Sequence, residues 1–293
     1  MKLLSFILVV ATIWACQPAK KKQAETTGQA VVNTPIPYDL ASPVAQHKLP
    51  NDLRELSGLS YYKPNRLACV QDELGVVFIY DLNRKEIVDE HVFGKNDDYE
   101  GVEYVGKKLY ILRSDGELYE MEPTDGVKII GGSPATRHIK IGLPGRGTAG
   151  KNGSGRPDME GLGYDPQLDA LLLLTKDGKG SDKIIYYYSL KNKTLFQGLV
   201  LKQADLQVLD GAMKAFKPSG IAVHPKTRDY YVLSSAAHRL AVLTPNGKVK
   251  SLVPLDEKAL PQPEGICFAP NGTLYIGSEG NGKKGIILEF RAK

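Results

Sequence analysis

Three glutamates stand at the same place in three short segments of the chain. Glu100 lies in DYEGVEYV (98–105), Glu160 in DMEGLGYD (158–165) and Glu264 in QPEGICFA (262–269), each directly before a glycine. Two further segments, ELSGLSYY (55–62) and KPSGIAVH (217–224), put Ser57 and Ser219 at that place. Equivalent places in a repeat become equivalent places in the fold, so the three carboxylates should converge. Carboxylates gathered on one narrow site repel, and their pKa values rise unless a cation is present. A hard cation with oxygen ligands resolves the conflict, and Ca²⁺, with its flexible shell of about six to eight ligands, fits best. Glu100, Glu160 and Glu264 are the expected metal ligands. Ser57 and Ser219 are available as further hydroxyl donors, and water would fill the rest. The spacing is equally compatible with glutamates that hydrogen-bond backbone N–H groups of the neighbouring unit.

A second set of residues recurs further along each unit: Asp72, Ser114, Lys176, Ser235 and Glu279, with Asp115 and Asp177 beside two of them. Any ligand site should draw on Asp72, Asp115, Lys176, Ser235 and Glu279. A lysine among acids reads first as a salt bridge. The glycine-rich stretch GLPGRGTAGKNGSGRP (142–157) satisfies GxGxxG at Gly145, Gly147 and Gly150, but Asn152 stands where a phosphate loop needs Ser or Thr. No helix is expected after it, which such motifs require. It reads as a flap carrying Arg146, Lys151 and Arg156. His47, His91, His138, His224 and His238 show no metal-ligand spacing and read as surface or turn residues. No GxSxG elbow occurs. Cys69 and Cys267 fall on different expected strands and read as buried free thiols.

The elements that must position these groups come from the repeat. The glycines Gly58, Gly101, Gly161, Gly220 and Gly265 are separated by 43, 60, 59 and 45 residues. After each comes a short polar turn and then further apolar runs, about four in all, rich in β-branched and aromatic residues and bounded by Pro, Gly, Asn and Asp. These are strand signals. Four strands per unit of 40–60 residues describe a β-propeller blade. The expectation is all-β: a five-bladed β-propeller of four-stranded blades, with a six-bladed ring as the alternative. The fifth unit stops at Phe290 with three strands, and Val44 to Leu49 is placed to supply the fourth and close the ring.

The order of these x-G-apolar strands, with DYEGVEYV, DMEGLGYD and QPEGIC in turn, resembles the SdiA-regulated family. The resemblance implies a propeller of the bacterial envelope related to NHL-repeat propellers and a calcium site. It implies no activity.

The chain has 293 residues, of which 42% are hydrophobic and 24% charged, with a net charge of +5. Lys2 and Lys20 to Lys22 account for most of that excess, so the remainder is near neutral and offers nucleic acid no basic surface. Residues 1–16 (MKLLSFILVVATIWAC) combine a basic start with an apolar run too short to span a bilayer, which reads as a signal peptide. Ile13-Trp14-Ala15-Cys16 resembles a lipobox, so Cys16 is the expected lipidation site. Residues 17–36 read as a flexible tether with a reach of roughly 25 Å, and residues 37–293 as the propeller. The expected function is a lipid-anchored binding module of the cell envelope, facing the periplasm or the cell surface. Its partners would be the membrane, through Cys16, and a protein or small-molecule ligand. The alternative is a calcium-dependent hydrolase of a lactone or phosphate ester, with Asp72 or Glu279 as base.

Overall fold

The computed structural model describes residues 33–124, 136–143, 157–177 and 182–293. Each repeat glycine lies in the first strand of a four-stranded antiparallel sheet, and there are five such sheets among the described residues. Blade 5 takes its outermost strand, β1 (Ala45–Lys48), from the start of the body. Blade 1 is β2 (Leu56–Lys63), β3 (Arg66–Gln71), β4 (Val76–Asp81) and β5 (Glu86–Val92). Blade 2 is β6 (Tyr99–Val105), β7 (Lys108–Arg113), β8 (Leu118–Met121) and β9 (Arg137–Ile139). Blade 3 is β10 (Met159–Asp165), β11 (Ala170–Thr175), β12 (Lys183–Ser189) and β13 (Thr194–Leu201). Blade 4 is β14 (Gly220–Val223), β15 (Tyr230–Ser234), β16 (Arg239–Leu243) and β17 (Val249–Pro254). Blade 5 is completed by β18 (Gln262–Phe268), β19 (Leu274–Glu279) and β20 (Ile286–Phe290). The protein is a five-bladed β-propeller. A short helix absent from the sequence reading, α1 (Gln203–Leu209), caps the link from blade 3 to blade 4. The segment 144–156 of the expected flap, the signal peptide and residues 17–32 lie outside the described residues.

A blade exposes two apolar faces, and only its neighbours can cover them. The buried side chains accordingly fall into five clusters, one at each seam between adjacent blades. Middle strands therefore read as continuous apolar runs: β11 is Ala-Leu-Leu-Leu-Leu-Thr and buried throughout. Each fully buried leucine contributes about 1.5–3 kcal/mol relative to an exposed one. His47 and His91, read from the sequence as surface or turn residues, are buried on strands at 5% and 3% exposure. The fourth strand of a blade still has one face against the next blade, and both residues sit on that face. Cys69 and Cys267 are free, buried thiols in the seam between blades 5 and 1.

The ring closes as the missing strand requires. β1 pairs antiparallel with β20, placing Ala45 opposite Glu289 and Lys48 opposite Ile286. The chain is engaged even earlier than the expected boundary at residue 37. Thr34 N–H donates to Lys250 O at 2.9 Å, and Asn33 donates to and accepts from Leu252. Tyr38 then bridges to Ala292, and its hydroxyl donates to Gly272 O at 2.7 Å beside His224 Nε2 at 2.9 Å.

At the axis the repeat glycines meet backbone to backbone. A Cβ on Gly58 would lie 2.8 Å from Gly101 Cα, one on Gly101 2.8 Å from Leu162 Cβ, and one on Gly220 2.2 Å from Glu264 O. No rotamer change relieves a clash with backbone. Gly220→Ala should therefore cost about 2–3 kcal/mol, read as a lowered denaturant midpoint. Gly142→Ala, where a Cβ meets nothing within 4 Å, should stay within about 0.5 kcal/mol of the parent. Equal midpoints for the two variants would show that the axis is looser than this packing implies.

Candidate functional site

The residues before the repeat glycines are aimed by local irregularity in the strands. Pairing slips between Leu56 and Gly58, Tyr99 and Gly101, Met159 and Leu162, and Pro263 and Gly265. Such bulges re-aim a side chain out of the ladder. They free Ser57, Glu100, Glu160 and Glu264 from the regular alternation. Ser219 precedes the first paired residue of β14.

The two serines stitch blades together. Ser57 Oγ donates to Tyr99 O of blade 2 at 2.7 Å, and Ser219 Oγ donates to Pro263 O of blade 5 at 2.7 Å. Ser219 Oγ also accepts the Ser235 N–H at 3.1 Å, so Ser235 is drawn to the same junction. Both hydroxyl protons are thus committed to the neighbouring blade rather than pointed at a shared ligand.

The glutamates face one another's fields. Burial, and then the charges of Glu160, Asp98 and Glu264, hold the Glu100 carboxyl well above the usual range, with Lys176 opposing. Burial and the neighbouring Glu279 do the same to Glu264. Burial raises the Glu279 carboxyl as well, and the Glu264 and Glu279 carboxyls act on each other. Gln262 Nε2 donates to Glu264 Oε1 at 3.0 Å. Glu160, 3% exposed, is paired with the Lys176 ammonium. Burial works against that ammonium's charge, but Glu160 and Glu100 hold it protonated. Lys176 thus makes the salt bridge its position among acids suggested.

Asp72 adds to the acidic rim. Burial, then Glu55, Glu73 and Asp98, push its carboxyl up to about 6, and among the described residues its Oδ1 is buried without a hydrogen-bond partner. Ser114 Oγ, at the end of β7, is likewise buried and without a partner. Asp115 is taken up elsewhere: Arg113 grips it at 2.9 and 2.7 Å. Asp177 lies 3.4 Å from the Lys217 ammonium. The structure therefore brings Glu100, Glu160, Glu264, Glu279, Asp72 and Lys176 into one electrostatic group and turns Asp115 and Asp177 to other partners.

The mouth does not lead into an open channel. The axial cavity bounded by the five glycines, Ser57, Glu100 and Glu264 has a volume of about 10 Å³, room for roughly one water. Deeper along the same strands lies a carboxylate that the sequence reading passed over. Glu103 stands two residues past Gly101, as Ser60 does past Gly58 and Cys267 past Gly265. Ser60 Oγ donates to Glu103 Oε1 at 3.2 Å and accepts the Tyr104 N–H at 3.0 Å. Burial pushes the Glu103 carboxyl up to about 8. The repeat offset that located Glu100 would have located Glu103 too, had it been carried further along the strand.

All the donors at the mouth are hard oxygens, as a calcium site needs. Among the described residues, however, no three His, Cys, Asp or Glu side chains are gathered closely enough to form a metal site. A cation would have to draw the carboxylates inward.

A family model described as SdiA-regulated matches residues 40–282. No curated protein matches the sequence. Among solved structures, glutaminyl cyclase of Myxococcus xanthus superposes with a TM-score of 0.57 at 13% identity, over 85% of this chain and 95% of that one. The PQQ-bound aldose sugar dehydrogenase of Streptomyces coelicolor superposes with a TM-score of 0.53 at 11% identity, over 86% and 98% of the two chains. At these identities the likeness is one of fold alone.

The raised carboxyl of Glu103 has a measurable consequence. Its folded-state pKa of about 8 lies above the ordinary 4.5. Its contribution to stability is therefore full below pH 4.5 and lost as pH rises through 8. Glu103→Gln keeps an oxygen for Ser60 and removes the titration. The stability of this variant relative to the parent should increase steadily from pH 5 to pH 8. Groups titrating in both proteins, such as His47 and His224, cancel in that difference. A difference independent of pH would place the Glu103 carboxyl in water.

Proposed function

The chain belongs to the SdiA-regulated family, and on that premise we propose that it is a binding module of the bacterial cell envelope. In this reading a lipid on Cys16 anchors it, the tether lets the propeller stand off the membrane, and the acidic mouth takes a divalent cation, calcium foremost. The observation that carries the cation reading is the crowding of carboxylates at the mouth. Glu100, Glu160, Glu264, Glu279 and Asp72 lie within one another's fields, and among the described residues Asp72 Oδ1 and Ser114 Oγ are buried without partners.

Without a cation, burial and the neighbouring carboxylates favour the protonated forms of Glu100, Glu264 and Glu279. Calcium would take the place of those protons, with Glu100, Glu160 and Glu264 as ligands. Its tolerance of irregular shells suits carboxylates that start apart, whereas magnesium demands a near-ideal octahedron. Because protons leave as the ion enters, binding tightens as pH rises. The ion would be structural and would organise the rim that meets a protein or small-molecule partner.

A second reading is supported by Asp72, whose pKa of about 6 and unpartnered oxygen suit a general base. In that reading the protein is a calcium-dependent hydrolase of a lactone or phosphate ester. Turnover of such esters by the calcium-loaded protein, lost in Asp72→Asn, would favour it over a binding module.

The test of the mouth is calcium-dependent thermal unfolding. Calcium at about 100 times its Kd should stabilise by about 2.7 kcal/mol. The rise in Tm should be larger at pH 8 than at pH 6, reversed by EDTA, and weaker with magnesium. Glu264→Gln should lose most of the response. A parent protein that ignores both calcium and EDTA would leave the carboxylates as ties between blades. The anchor is tested separately: Cys16→Ser should move the protein to the soluble envelope fraction, and retention on salt-washed membranes would place the anchor elsewhere.

A further inference from the structure

A cavity far roomier than the axial one lies away from the axis. A groove of about 660 Å³ opens at the seam between blades 4 and 5. That volume falls in the range of small-molecule sites, about 300–1,000 Å³, whereas the axial cavity admits roughly one water.

Its walls carry four lysines from three separate stretches of chain. Lys48 ends β1, Lys258 lies in the connection from β17 to β18, and Lys283 and Lys284 stand in the β19–β20 hairpin. All four are exposed, and among the described residues none is paired with a carboxylate. Two acids share the lining: Asp256, whose Oδ1 accepts the Lys258 N–H at 2.8 Å, and Glu279, whose carboxyl burial pushes up. Four ammonium groups outnumber these two carboxyls, so the groove is electropositive, unlike the mouth beside it.

Its floor is apolar, and strand register explains why. Lys48 stands opposite Ile286 and Gln46 opposite Leu288. Directly opposed residues share a sheet face, so one side of blade 5 lays Ile286 and Leu288 beside Lys48. The intervening His47 and Ile287 turn to the other side, into the seam with blade 1. Ala259 and Pro261 close the floor from the blade 4 side.

We propose that this groove binds a free anionic amphiphile, a small molecule with a phosphate head on an aliphatic body. The ammonium groups take the head as point charges, and Ile286 and Leu288 take the body. The proposal is independent of the calcium reading, with which it shares only Glu279.

The test is calorimetric titration of the full chain with four probes: octyl phosphate below its micelle concentration, octyl glucoside, inorganic phosphate, and phosphatidylglycerol vesicles. Octyl phosphate should bind saturably, one to one, and at least tenfold more tightly than octyl glucoside or inorganic phosphate. The double variant Lys283→Glu, Lys284→Glu should weaken it tenfold or more. Lys191→Glu, an exposed lysine on blade 3, should leave it within twofold. Lys283 and Lys284 are exposed in the β19–β20 hairpin, so an unchanged Tm in the double variant would confirm that the fold is intact. No saturable octyl phosphate binding would overturn the proposal, as would equal loss in Lys191→Glu, which would mean net charge alone. Inorganic phosphate binding as tightly as octyl phosphate would remove the apolar floor from recognition. Binding to vesicles without binding of free octyl phosphate would make the lysines a bilayer contact instead.

Discussion

Everything in this molecule depends on strands meeting at one axis, three of the five repeat glycines lying closer to the next blade's backbone than a Cβ allows. Gly58 approaches Gly101, Gly101 approaches Leu162, and Gly220 approaches the Glu264 carbonyl. That approach sets the distance between neighbouring sheets, and so it sets the thickness of the five seams where the apolar side chains are buried. Each sheet has two apolar faces, and the ring gives each face a neighbouring blade while leaving no long sheet edge at its join, because β1 completes blade 5.

The same closeness creates the electrostatic problem at the mouth. Side chains one residue from the glycines cannot avoid one another, and the chain meets this in two ways. At blades 1 and 4 a serine spends its proton on the next blade's carbonyl. At blades 2, 3 and 5 a glutamate is kept, with Lys176 against Glu160 and Gln262 against Glu264, while burial and neighbouring carboxylates raise Glu100 and Glu264. Serines would have sufficed to join blades. Carboxylates held against burial and repulsion contribute less to stability than serines would, which is the usual mark of a site shaped for binding.

The axis is closed, so the cavities that could take a ligand lie at the rim. An acidic mouth and a lysine-lined groove lie side by side, with Glu279 common to both. Opposite fields so near each other restrict what can approach: a cation is drawn to one and an anion to the other. The strap that closes the ring also builds the groove, since β1 supplies Lys48 and sets it beside Ile286.

The sequence by itself determined the architecture. Five glycine-centred segments, each followed by short strand-like runs, specify five blades, and an unfinished last unit specifies the closing strand. These features are local and repeated, so they can be read without coordinates. The equivalence of Glu100, Glu160 and Glu264 was legible for the same reason, and so was the salt bridge of Lys176. What only the tertiary structure decided was the company each side chain keeps. A basic neighbour two residues away marks Asp115 for Arg113, but nothing local shows that Asp72 lies half-buried, with Oδ1 lacking a partner among the described residues. Nothing local marks His47 and His91 as buried, because that depends on which face of an outer strand meets the next blade. The groove is the extreme case, since residues 48, 258 and 283–288 become neighbours only when the ring joins its two ends. Strand periodicity is written along the chain, whereas proximity between blades arises only from the closure of the ring.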